Sequence, residues 1–580
     1  MRPVTIKVGL GTCGISAGAK DVYDELERLL KTERSAILDY TSCNGMCFLE
    51  PIVEIYQPDK PVQVLTNVKK SDVPAILQGL KTDNFHSSET ISEFSAVQKK
   101  LILGNCGLIN PDRIEDYLER GGYEALRKIV KNNDPEDVIK IIKNSGLRGR
   151  GGAGFLTGVK WELAQKAKGK KKYVICNADE GDPGAFMNRA VLEGDPHRVI
   201  EGLIISGYAI GADRGYIYVR AEYPLAVQRI KNAILKAKDQ HFLGENILGS
   251  KFSFELMIKE GAGAFVCGEE TALMASIEGK RGMPKLRPPY PAQSGLWGCP
   301  TNINNVETLA AVPWIIRNGA DEYAKLGKEK NRGTKVFSLA GKIKRSGLAE
   351  VELGTSLRKI IYEVGGGTIS GEKVKAVQLG GPSGGCLPDR LLDTTVDYES
   401  LAATGAIMGS GGIIVMDNDT CIVDIARYFL NFTQQESCGK CTFCRIGTKR
   451  MLEILERITE GKSSIKELEK LKDLAEKITS ASLCMLGKTA PNPVLTTLKY
   501  FEDEYLEHIQ DKKCRAGVCK ALIKFEIKAD KCTGCTLCAK NCPVKAISGQ
   551  RKQPHFIDQS LCTKCGVCAD VCGFGAVEKK

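Results

Sequence analysis

The sequence has no run of 18 or more apolar residues, which excludes an ordinary membrane-spanning helix. Its first residues lack the long apolar core and small-residue cleavage site of a secretion signal, so the cytoplasm is the expected location. It also lacks helix-turn-helix and zinc-finger spacings and the interleaved basic and aromatic residues typical of nucleic-acid binding. Because the lysines are spread along the chain, a solvated surface explains the net charge of +12 most simply.

Cysteine is what the sequence has in quantity, with 23 residues. A large chain in a reducing compartment does not keep so many as disulfides. Their clustering at gaps of two and three residues predicts metal ligation. The 580 residues are too many for one hydrophobic core, so we expect three to five domains.

The last 50 residues hold two copies of C-x2-C-x2-C-x3-C, a pattern that folds around iron–sulfur cubanes. In two-cluster ferredoxins the distal Cys of each run ligates the other cluster. A pair of zinc sites, the alternative, would leave the third closely spaced Cys without a role. Gly573 stands where Pro usually follows the second run, which changes the turn and leaves the ligands intact. The predicted sets are Cys532, Cys535, Cys538 and Cys572 for one [4Fe–4S] cluster, and Cys542, Cys562, Cys565 and Cys568 for the other.

A third cubane is predicted where Cys438, Cys441 and Cys444 form C-x2-C-x2-C at the head of a helical stretch. A cubane needs four thiolates, and no fourth Cys follows three residues later. The next is Cys484, which a helical excursion could return to the cluster. The alternative is that Cys484 is an apolar core residue, a common fate of free Cys.

A glycine run bracketed by Arg148 and Arg150 is a candidate anion-binding loop. Glycines let backbone N–H groups approach an anion, and guanidinium groups can hold phosphates. Since it follows a helix, it fails the test for a Rossmann G-x-G-x-x-G motif, and a plain flexible turn is the alternative.

Three further stretches supply amides or acids, at residues 177–184, 261–271 and 302–308, and the first two of them follow predicted strands. Amides suit the hydrogen-bonding edge of a flavin, and carboxylates suit ribose hydroxyls. The alternative for each acid is a helix cap.

These stretches, with the C-G-K-C-T-F-C run and Cys484, resemble the flavin-bearing, NADH-oxidising subunit of respiratory complex I. The full layout is more similar to the beta subunit of multimeric NAD(P)-linked iron-only hydrogenases, including the electron-bifurcating ones, and Ala178–Arg189 looks like that branch. The resemblance implies a multidomain α/β and α+β chain. Its parts would be a thioredoxin-like [2Fe–2S]-type domain (1–88), a linker and helical lead-in (89–145), a Rossmann-like FMN- and NAD(P)-binding domain (146–333), a ubiquitin-like β-grasp domain (334–418), a helical [4Fe–4S] domain (419–510) and a two-cluster ferredoxin-like domain (511–580).

The resemblance also implies the ligands. FMN would be held by Gly149, Arg150, Gly151, Gly152, Lys160, Asn177, Asp179, Gly268, Glu269, Asn304 and Asn305. NAD(P) would lie near Phe155, Glu180, Asp182, Glu270, Arg287 and Tyr290. Hydride passes directly between nicotinamide and flavin, so no protein acid or base is expected to act as a catalytic residue.

The N-terminal domain of that family holds a [2Fe–2S] cluster through C-x4-C followed by C-x3-C. Here Cys13, Cys43 and Cys47 match three positions, and Val8 stands at the fourth. Either a non-Cys ligand completes the cluster, or the cluster is lost and the fold retained.

Three more residues, His508, Cys514 and Cys519, suit zinc, although no fourth ligand is evident. The alternative places His508 on the surface of an amphipathic helix. The remaining cysteines are isolated, and we expect them to be buried and inert. They are Cys106, Cys176, Cys267, Cys299, Cys386 and Cys421.

The expected function is an FMN- and iron–sulfur-dependent NAD(P)H:acceptor oxidoreductase (diaphorase) subunit of a hydrogenase that can bifurcate electrons. The chain lacks a hydrogenase cysteine set, so hydrogen chemistry would belong to a partner catalytic subunit. Other implied partners are a small [2Fe–2S] thioredoxin-like subunit and ferredoxin. The alternatives are the diaphorase of an NAD-dependent formate dehydrogenase and a non-catalytic electron-transfer subunit. The sequence does not distinguish NAD from NADP.

Overall fold

The structure is a computed structural model that describes residues 4–33, 36–82, 89–132 and 134–580. Ser35, at the start of a predicted strand, lies outside the described residues. The N-terminal unit is a four-stranded sheet in the order β2-β1-β3-β4, with β1 parallel to β2 and antiparallel to β3. Its thioredoxin-like assignment stays a prediction. The elements are β1 (Thr5–Gly9), α1 (Thr12–Ala17), α2 (Ala19–Glu33), β2 (Ile37–Thr41), β3 (Val53–Tyr56), β4 (Gln63–Leu65) and α3 (Val73–Thr82).

The next region differs from its prediction in two places. The polar stretch predicted as a linker contains a helix, α4 (Glu89–Ala96), because the buried Phe94 anchors it to a neighbouring core. The sequence predicts one helix over residues 114–131, but the structure has two, α5 (Ile114–Glu119) and α6 (Glu124–Asn132), since Gly121 turns the chain at a φ of 80°. The helix predicted at residues 135–145 is present as α7 (Pro135–Ser145) and ends at Gly146.

A four-stranded parallel sheet in the order β7-β6-β5-β8 forms the centre of the next domain. Its apolar strands are flanked by helices, of which α10 is buried almost throughout. The elements are α8 (Thr157–Lys166), β5 (Tyr173–Ala178), α9 (Met187–Gly194), α10 (Pro196–Ile210), β6 (Arg214–Arg220), α11 (Pro224–Asp239), β7 (Glu255–Gly261), α12 (Glu270–Ile277), β8 (Thr301–Asn305), α13 (Val306–Asn318) and α14 (Ala320–Ala324).

A five-stranded mixed sheet in the order β12-β11-β15-β13-β14 follows. The helix that the sequence predicts over residues 356–363 is a π-helical segment (Lys359–Val364), and the helix at Tyr398–Thr404 was not predicted. The ubiquitin-like β-grasp assignment stays a prediction. The elements are β9 (Gly327–Lys328), β10 (Asn331–Arg332), β11 (Thr334–Gly341), β12 (Gly347–Glu352), β13 (Ala376–Leu379), β14 (Gly385–Pro388), α15 (Tyr398–Thr404) and β15 (Gly412–Met416).

Helices and then short hairpins complete the chain. The sequence predicts a helical stretch over residues 448–478, which in the structure is two helices, Thr448–Thr459 and Ile465–Ala481, because Gly461 breaks it at a φ of 70°. No helix of the described ranges is long and apolar enough to cross a bilayer. The elements are α16 (Ile422–Gln435), α17 (Thr448–Thr459), α18 (Ile465–Ala481), α19 (Met485–Thr489), α20 (Asn492–Leu506), β16 (Phe525–Ile527), α21 (Leu537–Lys540), β17 (Ile547–Ser548), β18 (Phe556–Ile557), α22 (Val567–Asp570) and β19 (Val577–Lys579).

Candidate functional site

The predicted flavin and nucleotide residues gather at one edge of the parallel sheet. Asn177, near the end of β5, is in register with Asn305 at the end of β8. The segment that follows β7 carries Gly268 and Glu269 to the same edge. Because the carboxyl ends of parallel strands meet there, side chains far apart in sequence line one crevice.

The glycine run closes over this crevice as a tight loop. A backbone hydrogen bond of 2.8 Å joins its two ends within residues 149–155. A Cβ at Gly151 would lie 3.3 Å from Asn305, and one at Gly152 would lie 3.2 Å from Gly409 in the neighbouring domain. Gly152 also has a φ of 114°, which favours glycine. The backbone at Gly152 therefore favours glycine, and a larger residue at Gly151 would crowd Asn305.

Protein groups engage both arginines that bracket the loop. Arg150 is 1% exposed, and its guanidinium donates to the carbonyl oxygens of Thr334 (2.9 Å) and Arg332 (2.6 Å). Arg148 lies over the ring of Tyr398 at 4.4 Å. The two side chains thus hold the loop in shape, and contact of Arg150 with FMN stays a prediction.

Three acids follow β5, each in a different setting. Glu180 accepts hydrogen bonds from two backbone N–H groups in the first turn of α9, at 2.9 and 3.1 Å, so it acts as a helix cap. Asp182 accepts a hydrogen bond from the hydroxyl of Ser410 in the neighbouring domain. Burial raises the pKa of Asp179 to about 7 and the pKa of Glu180 and Asp182 to about 6. Removal of water from these three carboxyl groups therefore disfavours their charged form.

One observation in particular indicates that a flavin nucleotide fits the crevice. Asp179 Oδ2 is buried without a hydrogen-bond partner in the described structure. A Cβ at Gly268 would lie 3.7 Å from this oxygen, so the missing side chain leaves the space before it open. A buried acceptor of this kind calls for a donor such as a hydroxyl group, which a ribityl chain supplies.

Three predicted FMN contacts already have protein partners. Asn177 donates to the carbonyl oxygen of Gly268 (2.9 Å), and Asn304 accepts from the indole of Trp161 (2.9 Å). Glu269 caps α12, accepting from two N–H groups at 2.9 and 3.0 Å. These bonds fix the geometry of the crevice walls.

An ion-pair chain lies at the mouth of the crevice and unites predicted FMN and NAD(P) residues. The carboxylate of Glu270 contacts Lys160 Nζ at 3.3 Å and Arg287 Nη1 at 2.5 Å. Phe155 and Tyr290, the predicted aromatic contacts, are each 54% exposed. Exposed aromatic rings provide surfaces on which a planar base can stack.

The four cysteines predicted for the central cubane come together beside this crevice. Cys484, at the start of α19, lies near Cys438, Cys441 and Cys444, because the hairpin of α17 and α18 returns the chain. Burial raises the pKa of Cys444 to about 11, with further contributions from the other three thiols. These cysteines belong to the same apolar cluster as Val266, which lies in the segment before α12.

The eight C-terminal cysteines surround two cavities in the exchanged pattern. Apart from its cysteines, the first cavity is lined mainly by apolar side chains and the second includes the buried His555. Each cavity thus receives three cysteines of one run and the distal cysteine of the other. The first holds Cys542, Cys562, Cys565 and Cys568, and the second holds Cys532, Cys535, Cys538 and Cys572.

A fourth ligand joins the predicted zinc residues. Cys421, expected to be isolated and inert, lies with His508, Cys514 and Cys519, and their ligand atoms are all within 4.8 Å of one another. His508 is fully buried, so the surface alternative is wrong. Its Nδ1 donates to the carbonyl oxygen of Glu504 (2.7 Å), which leaves Nε2 for a metal.

The distances in this group suit tetrahedral zinc. Zinc–sulfur bonds of about 2.3 Å place two thiolates about 3.8 Å apart, and the sulfurs of Cys421 and Cys519 are 3.7 Å apart. The spacing of sequence motifs could not reveal Cys421, because 87 residues separate it from His508. Cys299 also departs from its prediction, since it is only partly buried.

The three N-terminal cysteines form a looser group. The sulfurs of Cys43 and Cys47 are 3.8 Å apart, and the sulfur of Cys13 lies 3.6 Å from Arg189 Nη2 on α9. Val8 is fully buried in the core of its domain and supplies no ligand atom. Any fourth ligand must come from another residue.

Comparisons with known families assign three parts of the chain. Residues 142–314 match the Nuo51 FMN-binding domain, and residues 424–508 match the NADH-ubiquinone oxidoreductase-F iron-sulfur binding region. Residues 531–576 match the 4Fe-4S dicluster domain. The chain thus combines an FMN-binding domain with [4Fe–4S] domains.

Several known proteins match most of the chain. HndC, a subunit of the NADP-reducing hydrogenase of Solidesulfovibrio fructosivorans, is 57% identical over 79% of this chain and 93% of its own length. An NADH-quinone oxidoreductase subunit of Rhizobium meliloti (strain 1021) is 44% identical over 71% of this chain and 98% of its own. A crystal structure of an NAD+-reducing [NiFe]-hydrogenase in the H2-reduced state matches with a TM-score of 0.63 and 29% identity, over 88% of this chain and 85% of that one.

Proposed function

Since the chain belongs to the family of FMN-domain subunits that includes HndC and its NADH-quinone oxidoreductase counterparts, we propose that it is an NAD(P)H:acceptor oxidoreductase subunit. Bound FMN would exchange hydride with a nicotinamide and exchange electrons singly with iron–sulfur clusters. One observation carries the proposal. The short segment before α12 packs against the central cysteines, while Glu269 and Glu270 at its end face the crevice.

The chain's own residues bind and orient in this proposal. Asp179 accepts a donor of the flavin nucleotide, and the glycine loop admits its phosphate to backbone N–H groups. The ion pairs of Glu270 with Lys160 and Arg287 shape the nucleotide entrance. No side chain needs to move a proton, because hydride passes directly between the two bound rings.

The proposed cofactors are FMN, NAD(P), three [4Fe–4S] clusters, one [2Fe–2S] cluster in the N-terminal domain and one zinc ion. The central cluster lies between the flavin crevice and the ferredoxin-like unit in sequence. In this proposal it passes electrons from one to the other. The zinc ion would hold the loop between α20 and β16 against the start of α16.

A hydrogenase complex is the proposed setting, by analogy with HndC, which is named as a subunit of an NADP-reducing hydrogenase. In the complex proposed for this chain, the catalytic subunit would be an iron-only hydrogenase. A small [2Fe–2S] subunit and ferredoxin would be further partners. The complex would bifurcate electrons between ferredoxin and NAD(P). Cytoplasmic location stays part of this proposal. The alternative of a formate dehydrogenase diaphorase differs from this proposal only in its partner subunit. If the chain were a non-catalytic electron-transfer subunit, neither NADH nor NADPH would bleach a bound flavin.

An anaerobic titration of the purified chain tests the proposal. We expect about 12 to 14 iron per chain, the count for three cubanes with or without a two-iron cluster, together with bound FMN that bleaches on addition of NADH or NADPH. Comparing the two nucleotides identifies the substrate. Iron without FMN, or no bleaching with either nucleotide, would contradict an oxidoreductase role.

Replacing Cys421 with serine should release the zinc ion. The sulfurs of Cys421 and Cys519 lie within 4 Å of His508 Nε2 and of each other, and the variant loses one of these two thiolates. With three ligands left, the zinc ion is exposed to chelators. We expect about one zinc per chain in the wild type and much less in the variant, measured by elemental analysis. Cys386→Ser, another buried cysteine, is the matched control and should retain zinc. Equal zinc in all three proteins would contradict the assignment.

A further inference from the structure

Glu50 is a buried acid beside the N-terminal cysteines. It follows Cys47 by three residues and is 7% exposed. Its Oε2 accepts one hydrogen bond, from the N–H of Ile52 at 3.0 Å. Among the residues the structure describes, no Lys, Arg or His forms an ion pair with it. A buried carboxylate without a cation is costly, so the site calls for a positive partner.

Two glycines make room for this carboxylate within the loop that carries Cys13. A Cβ at Gly14 would lie 3.0 Å from Glu50 Oε2, and a Cβ at Gly9 would lie 3.4 Å from it. Gly9 directly follows Val8, the position that lacks a thiolate. The carboxylate of Glu50 therefore lies against this loop, between the position without a thiolate and Cys13.

The spacing of the donor atoms suits two metal ions. The sulfurs of Cys43 and Cys47 are 3.8 Å apart, as expected for two thiolates on one tetrahedral metal. In the described part of the chain, only the group around Cys421 has three or more ligand atoms that all lie within 4.8 Å of one another. Cys13 does not complete such a set with Cys43 and Cys47. We therefore assign Cys13 to a second metal ion, which needs a further donor.

We propose that the carboxylate of Glu50 is the fourth protein ligand of a [2Fe–2S] cluster whose other ligands are Cys13, Cys43 and Cys47. The inference rests on the N-terminal cluster of the proposed function and is independent of nucleotide oxidation. One iron takes Cys43 and Cys47. The other takes Cys13 and a carboxylate oxygen, while Arg189, 3.6 Å from Cys13, offsets negative charge at that end.

Substitutions in the full-length holoprotein test the ligand. Glu50→Gln keeps the side-chain shape and the acceptor for Ile52 but removes the anionic ligand. We expect it to lose about two iron per chain and the [2Fe–2S] signal in electron paramagnetic resonance, recorded at temperatures where four-iron signals are broadened. Glu50→Cys should keep the iron and shift the g-values toward those of an all-thiolate cluster.

Glu54→Gln is the matched control, since Glu54 is another partly buried acid of the same domain, on β3. Retained FMN content and four-iron signals show that each variant has folded. If both Glu50 variants keep the iron content and the g-values of the wild type, Glu50 is not a ligand of the cluster. If Cys43→Ser loses no iron relative to the wild type, the domain holds no cluster and the proposal fails with it. Nucleotide-dependent bleaching would persist in both cases, which separates this failure from failure of the oxidoreductase function.

Discussion

Replacing Cys441 with serine should leave hydride uptake from NADH intact and stop electrons from reaching the C-terminal clusters. Cys441 is one of four cysteines that converge beside the segment before α12, and a serine hydroxyl is a much poorer ligand for iron than a thiolate. Losing even an outer partner of a metal ligand costs about 10- to 100-fold in affinity or activity. We therefore expect reduction of the C-terminal clusters to slow by more than about 100-fold.

Two readouts from one anaerobic mixing experiment separate the steps. Absorbance reports bleaching of the flavin, and freeze-quenched electron paramagnetic resonance reports the C-terminal clusters. Cys299→Ser is the control, because Cys299 is also partly buried and contributes to none of the three cubane sites. Wild-type reduction of the C-terminal clusters in Cys441→Ser would mean that the central cluster is not on the electron path.

Replacing Glu270 with glutamine should weaken turnover of NADH without loss of FMN or iron. The carboxylate joins Lys160 and Arg287 at the crevice mouth, and the neutral amide leaves both cations without a counterion. A hydrogen bond to a charged group contributes about 1.5–3 kcal/mol, so kcat/KM should fall about 10- to 100-fold. Steady-state dye reduction with NADH measures this change.

The matched control is Glu260→Gln, which removes a surface ion pair with Lys231 at a distance of 3.0 Å. Exposed pairs contribute little, so its kinetics should match the wild type. Unaltered kinetics in Glu270→Gln would show that the nucleotide site lies elsewhere. Loss of FMN from that variant would show instead that Glu270 holds the flavin crevice together.

Local sequence patterns predicted the parts of this molecule that depend on short covalent spacing. The two runs that begin at Cys532 and Cys562 place three ligands within seven residues, so the chain has few ways to arrange them. The asparagines at the ends of β5 and β8 meet because parallel strands share an edge, which strand prediction anticipates. The position of the crevice at one edge of the sheet can be predicted in this way, because it depends on the parallel arrangement of the strands.

Features that depend on long-range packing could not be read from the sequence. Cys421 carries no motif, and only the packing of α16 against α20 brings it to His508. The burial of Arg150 likewise depends on backbone carbonyls of residues near 332–334, about 180 positions away. Residue type suggests what a side chain can bind, whereas the tertiary structure decides which of its donors are already used.

The group around Cys421 also has a consequence for the unfolded chain. Cys421 and Cys519 are 98 positions apart. A metal ion that joins them would close a ring that contains α16 to α20, and it would reduce the number of conformations open to the chain before it folds. For a covalent cross-link, a ring of 100 residues corresponds to about 4.7 kcal/mol of chain entropy at 25 °C. The ion would in this way favour the compact form of the whole helical domain, including segments that never touch it.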